Sequence, residues 1–449
     1  MKGLILTYLV TAVASVGALR YPLLGLYVYV GFAVMRPQAI FGWAGDLSYL
    51  SLIVGIPMLV GWVFNGFGSW RFGRGRAVLL MLLVFVAWFL LSGLQGLDPG
   101  RSMDSLVGLS KVVLPVLVGV TMIKEEKHWR WLLWTIVLCQ GYVGFEMNLD
   151  YLVKNYNTAS AGFGGMDNNF FALGLVTVLG PAVALAIASR TWLERGAAAL
   201  AAALILHTTL LTFSRGGMVG MLAVAATAFV MVPKKPKHIF AVIAVILLAI
   251  RLTGPELAAR YLTTFAPADE RDASAESRVD LWRDCLLVIQ EYPVFGVGPA
   301  NWVTIAARYG WPEGKSAHSV WLETAAENGI PGAMLLLLFF TVAAWRLWPI
   351  ARARAPGTTP YEQALAAGGV LAIVGFAVTG QFVSAPSLEV PYYVVTACIG
   401  MLKLRSERVA MAARAAQVER AAPAPAMAGL TRPAFARPPV PKTRSSNLT

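Results

Sequence analysis

Apolar runs alternate with short polar interludes along most of this chain, and only one interlude is long. Crossing a hydrocarbon layer takes roughly 20 apolar residues in helical form, because each backbone amide must find its partner inside the segment. By that measure the pattern predicts spans at Leu4–Leu19, Tyr21–Met35, Tyr49–Asn65, Ala77–Leu94, Leu106–Ile123, Trp129–Glu146, Phe170–Ala188, Ala197–Phe213, Met218–Val232, His238–Thr253, Ile330–Leu347, Ala364–Phe382 and Val390–Leu402. The first two are short enough to be shallow or re-entrant. The fold class read from this pattern is an all-α polytopic membrane protein with about 12–13 transmembrane helices and one large helical loop.

Composition agrees: 57% of residues are hydrophobic and 14% charged, which excludes a string of soluble domains. The net charge of +13 would fit a nucleic-acid partner if it formed one patch, but it does not. Arg71, Arg74 and Arg76 share one short loop, Lys124, Lys127 and Arg130 a second, Lys234, Lys235 and Lys237 a third, and Arg346, Arg352 and Arg354 a fourth. With alternating spans these loops lie on one side, the bias that marks the cytoplasm. Basic charge therefore reports orientation, and no nucleic acid is expected.

Domain organisation follows: residues 1–253 as the first helices of the bundle, 254–329 as a large loop on the side opposite the basic loops, periplasmic by the resemblance given below, 330–403 as the last helices, and 404–449 as a Pro/Ala-rich disordered cytoplasmic tail. No cleavable signal peptide is expected after Lys2. Cys139, Cys285 and Cys398 form no framework, and no CxxC, HExxH or carboxylate cluster offers a metal a home. No cofactor is expected.

Long loops are usually functional, so the chemistry is sought in 254–329. There, SRVDLWRDCLLVIQEYPVFGVG reads as a helix ended by Pro293, with Arg278 in its first turn, Trp282 on the same face, and Leu286 and Ile289 continuing the stripe along the membrane surface. SAHSVWLETAAENGIPG reads as a second short helix closing at Asn328–Gly329. His318 lies in this loop, whereas His207 falls mid-span, where a neighbouring helix would satisfy it. In LLTFSRGGMVGM, Arg215 ends one span and Gly216–Gly217 turn the chain into the next.

Each of these residues has a bland explanation: a solvated loop histidine, or an arginine snorkelling to headgroups. Together they form a set suited to a lipid diphosphate. Guanidinium forks bind phosphate oxygens bidentately and stay protonated, and an imidazole titrates near neutral pH as a base. Lys111 is a further phosphate contact or a snorkelling lysine. Asp167, Asn168 and Asn169 bind sugar hydroxyls or cap the following span, and Trp282, Trp302 and Trp321 stack on sugars or belong to the interface.

In three segments, FSRGGMVG, SRVDLWRDCLLVIQEYPVFGVG and AHSVWLETAAENGIPG, the chain resembles the O-antigen ligase family, polytopic glycosyltransferases that include O-antigen polymerases and O-oligosaccharyltransferases. MRPQAIFGWAGDLSYLSLIVGI also resembles the exosortase-associated branch. The resemblance implies a GT-C-type helical fold and metal-independent, inverting transfer at the periplasmic face of the bacterial inner membrane. It implies a donor glycan on undecaprenyl diphosphate and a hydroxyl acceptor, lipid A-core or similar; membrane lipids are the other expected partners, and whether the protein is a monomer stays open at this point. Arg215, Arg278 and His318 take the places of the family's two arginines and loop histidine as catalytic residues. Arg215, Arg278, Lys111, Trp282 and Asn169 are the substrate-binding candidates, and Glu389 or Asp167 the acidic partner. A polymerase or a protein O-oligosaccharyltransferase of the same family is the alternative, and a lipid-linked glycan transporter is the reading from another class.

Overall fold

Thirteen helices carry the architecture in the computed structural model, which describes residues 2–42, 47, 49–231, 240, 273–384 and 388–421. They are α1 (Lys2–Arg20), α2 (Pro22–Met35), α3 (Leu50–Phe64), α4 (Arg76–Leu94), α5 (Pro99–Met122), α6 (Glu126–Lys154), α7 (Asn168–Ala188), α8 (Trp192–Leu211), α9 (Arg215–Met231), α10 (Ala273–Glu291), α11 (Val320–Ala351), α12 (Pro360–Thr379) and α13 (Glu389–Ala421). No strand occurs among the described residues. The chain is an all-α polytopic membrane protein: six of the described helices, α1, α4, α5, α7, α11 and α12, are long and apolar enough to cross a membrane. Helix α2, with 14 residues, rises only about 21 Å, short of a bilayer core of about 30 Å. The expected span His238–Thr253, the basic residues 234–237 and the loop segment 254–272 lie outside the described residues, apart from Phe240.

Local chemistry sets where the helices start. Asp98 accepts from the Gly100 N–H at 2.9 Å ahead of Pro99 in α5, and Thr191 and Thr359 open α8 and α12 with capping boxes to Glu194 and Glu362. Each satisfies amide groups that the first helical turn leaves without partners. Between spans, small residues permit backbone approach where lipid offers no hydrophobic drive for helices to associate. A Cβ on Gly180 of α7 would stand 2.8 Å from the Gly368 carbonyl of α12.

Two compact units divide the chain after Glu407: Met1–Glu407 holds the helix bundle, and Arg408–Thr449 contributes the last turns of α13. The tail expected to be disordered from residue 404 is instead helical as far as Ala421. The stretch is rich in Ala and Arg, both strong helix formers. Residues 422–449 lie outside the described residues.

The two ends of the bundle are distinguished by their loops. At one end, buried Lys403 donates to the carbonyls of Val120 and Ser69 at 3.2 and 3.4 Å. Close by in sequence, the buried Arg405–Glu362 pair closes at 2.7 Å, with further bonds to Pro356 and Thr358. At the other end, Leu97 donates to Val297, and Asn301 bonds Ser102 and the Asp98 amide. Ser92 Oγ donates to the Phe295 carbonyl, and Trp88 stacks on Phe295 at 5.2 Å. These bonds fasten the segment after α10 onto α4 and α5.

That segment has its own small core of Leu281, Cys285, Val288, Val297, Trp302 and Ile305, separate from the core between the spans. Its inward face differs from the predicted stripe: Leu281, Cys285 and Val288 are buried, whereas Leu286 is 49% exposed. The i, i+4, i+7 spacing fits either register, and packing against Trp302 selects the one containing Leu281. Because α10 begins at Ala273, Arg278 sits in its second turn rather than its first. Helix α11 breaks at Gly329, whose φ of 70° and ψ of 174° belong to glycine territory. The short helix before the break stays with the loop, and the apolar run continues beyond it.

Candidate active site

The site is built where five chain segments meet at the end of the bundle fastened to the α10 segment. Asp167 is the N-cap of α7, accepting at 2.8 Å from the amides of Asn169 and Phe170. The adjacent amides tie this cap to the turn between α8 and α9. Asn168 Nδ2 donates to the Thr212 carbonyl at 2.9 Å, and Ser214 Oγ donates to Asn169 Oδ1 at 2.8 Å. The capping reading of Asp167–Asn169 is thus realised, and Asn169 serves as a strut for the turn that presents Arg215.

The turn is made differently from the sequence expectation. Phe213, with φ of 52°, takes the left-handed step, and Arg215 opens α9 instead of ending α8. Gly216 and Gly217 lie in the first helical turn, where they permit contact instead of turning the chain. A Cβ on Gly216 would stand 2.7 Å from Phe382 Cβ, and one on Gly217 2.9 Å from Ala172. Close packing onto Phe382 brings the 380–384 segment beside Arg215.

From the opposite side, α10 contributes Arg278 and Trp282, both half-buried. Trp282 Nε1 donates to the Ala317 carbonyl at 3.2 Å, and its ring lies 6.3 Å from Phe382. The tryptophan thereby braces the residue before His318. Asp167 and Arg215 both lie near enough for their charges to act on Arg278. Burial lowers the guanidinium's pKa, Asp167 opposes that shift and Arg215 adds to it. The buried Nε of Arg278 has no hydrogen-bond partner among the described residues.

His318 completes the group. It adopts φ of 52°, a strained conformation for a residue with a side chain, and its N–H donates to Ser384 Oγ at 2.8 Å. Ser384 in turn donates to the Glu323 carboxylate, which also accepts the Ala317 N–H at 3.2 Å. The Ala317–His318 backbone is therefore held by one hydroxyl and one carboxylate. Burial first, and then the charge of Arg278, lowers the imidazole's pKa; Asp167 opposes and Lys315 adds. The imidazole is biased toward its neutral form within reach of the Arg278 guanidinium and the Asp167 carboxylate, and Arg215 in turn lies within reach of Arg278, an arrangement able to hold an anionic group and take up a proton.

Arg215, Arg278 and His318 are thus brought together, with Asp167 as the acid among them, while Glu389 lies within reach of Arg36 instead. Lys111 stands apart in its described contacts: its side chain is exposed, and its carbonyl accepts from Tyr29. Trp302 is fully buried in the loop core, and Trp321 Nε1 is bonded to the Ala377 carbonyl at 2.9 Å. His207 bonds Asn148 of α6 through Nδ1. Among the described residues no His, Cys, Asp or Glu group of three or more could hold a metal ion.

Sequence reasoning missed Ser384 and Glu323. An acidic residue in the first turn after Ser319, the N-cap of α11, was the available signal for Glu323. Ser384 gives none, since the residue it bonds lies 66 positions away.

No curated protein matches the chain. Residues 200–337, the segment that carries Arg215, Arg278 and His318, match the family model for O-antigen ligases, and the match supports assigning the chain to the O-antigen ligase family.

Proposed function

We propose that the protein is a ligase-type glycosyltransferase that moves a glycan from undecaprenyl diphosphate to an acceptor hydroxyl, on lipid A-core or a similar carrier, at the periplasmic face of the inner membrane. The observation that carries this reading is that Arg278, at one end of the bundle, lies within electrostatic reach of Arg215, Asp167 and His318. The basic loops at the opposite end support the orientation.

As the bond between the anomeric carbon and the diphosphate stretches, negative charge grows on the phosphate oxygens. Arg215 and Arg278 bind that charge more tightly than the ground state, and partial burial strengthens the attraction relative to water. The acceptor hydroxyl gives its proton to neutral His318 as its oxygen forms the new bond to the anomeric carbon. The old carbon–oxygen bond breaks with its electron pair leaving on the lipid diphosphate, and attack from the opposite face inverts the centre. General-base help of this kind is worth about 10²–10⁴-fold. Asp167 offsets the crowding of positive charge, which lets the two arginines share one anion.

Purified protein incubated with lipid-linked oligosaccharide and lipid A-core tests the assignment. Glycan on the core is the expected product. A ladder of longer lipid-linked products with bare core would move the protein to the polymerase branch of the family.

A further inference from the structure

A cavity lies at the end of the bundle opposite His318. It encloses about 430 Å³ where the end of α1, the start of α2, the end of α5 and the start of α6 meet. Arg20 is the last residue of α1 and Met122 the last of α5, so the cavity sits at the level where those helices end. Its lining combines the cations Arg20, Lys124 and Lys127 with the apolar Leu24, Met122 and Trp131, and Asn65 and His128 add neutral polar groups.

The floor is fixed by the fold. Tyr27 donates through its hydroxyl to the His128 carbonyl at 3.0 Å, and His128 Nδ1 accepts the Lys124 N–H at 3.2 Å. Lys127 pairs with Glu125 at 2.8 Å, but neither Arg20 nor Lys124 has a carboxylate partner among the described residues. Tyr21 and Trp131, which also line it, are 66% and 61% exposed, as aromatic side chains are at the boundary between hydrocarbon and headgroups. The volume suits an amphiphile of lipid or drug size rather than a bare ion.

We propose that this cavity binds an anionic phospholipid, its phosphate held by Arg20 and Lys124 and the adjoining acyl region lying against Leu24, Met122 and Trp131. Nothing in the glycosyl-transfer reading uses these residues. The chemistry demands both halves of the ligand: the cations select negative charge, and the apolar wall favours a phosphate attached to chains over free phosphate.

The test uses full-length protein in mild detergent, stripped of lipid and titrated with phosphatidylglycerol, phosphatidylcholine or inorganic phosphate, with bound species counted by native mass spectrometry. Wild type should retain phosphatidylglycerol in clear preference to phosphatidylcholine. The R20A/K124A double variant should weaken phosphatidylglycerol binding about 25-fold, since each basic contact at an anionic surface is worth about fivefold. Arg354→Ala, an exposed cation at the same end, should leave binding unchanged. Should the double variant not fold, Leu24→Trp fills the apolar wall with the charges intact and should lose the lipid equally. Equal retention of the two phospholipids, a preference that survives both variants, or displacement of phosphatidylglycerol by equimolar inorganic phosphate overturns the proposal.

Discussion

The backbone N–H of His318 donates to Ser384 Oγ at 2.8 Å, and the same hydroxyl donates to Glu323. The catalytic candidate is therefore held through its main chain by a residue from the segment between α12 and α13. Its left-handed conformation, costly for a side chain to adopt, persists because the surrounding bonds fix it.

Ser384→Ala should lower transfer more than it lowers stability. It leaves a part-buried amide without an acceptor, a loss of about 1 kcal/mol, and releases His318 from its orientation. Turnover is expected to fall about 10–100-fold, as for other supports one step removed from a reacting group. Donor affinity should hold, and Ser384→Thr, which keeps the hydroxyl, should recover most of the rate. Kinetics with donor and acceptor varied separately would check this.

The pH profile follows from His318. Its pKa is lowered by burial and by Arg278, so the active neutral form should persist below the ordinary histidine value. Transfer should stay level as pH falls through about 6.5 and drop only at the lower folded-state pKa. Arg278→Gln removes a cation, and in whatever activity remains the inflection should move up. The stability sign is set by the same shift: the unfolded chain binds the proton first, so acidification below about 6.5 destabilises the fold until the folded pKa is passed. A rate profile from pH 5 to 8 on both proteins measures it.

Gly216→Ala should damage the site through packing alone. The added methyl would lie 2.7 Å from Phe382 Cβ, in a turn that also carries Arg215. Overpacking of this kind costs about 1–3 kcal/mol, and the expected result is a lower melting temperature with a loss of transfer. Gly196→Ala, inside a helix where a Cβ meets nothing within 4 Å, is the matched control: it should hold or slightly raise the melting temperature and leave transfer unchanged.

Glu362→Gln separates stability from chemistry. It leaves Arg405 buried without its ion partner, which should cost about 3–5 kcal/mol. Because the pair lies at the end away from His318, the protein that stays folded at low temperature should transfer at the normal rate. Melting curves and rates on one preparation would show both.

Much of this was legible in the sequence for physical reasons that differ from residue to residue. The spans declare themselves because lipid tolerates only long apolar helices, and Gly329 marks a break because the apolar run resumes immediately after it. Arg215, Arg278 and His318 are legible as polar residues out of place at one boundary. The register of α10 was not, since Leu281 and Leu286 are equally apolar and only contact with Trp302 decides between them. The step at Phe213 was hidden because two glycines beside it offered an easier turn. Ser384 and Glu323 are ordinary in sequence, and their role arises from tertiary contact.

The most direct measurement is glycan transfer from undecaprenyl diphosphate to an acceptor hydroxyl by wild type, His318→Ala, Arg215→Ala and Arg278→Ala, each verified as folded by its melting curve. The account predicts that all three variants lose transfer by at least about 100-fold, with the arginine variants also losing donor affinity. Folded His318→Ala protein that transfers at the wild-type rate would contradict it.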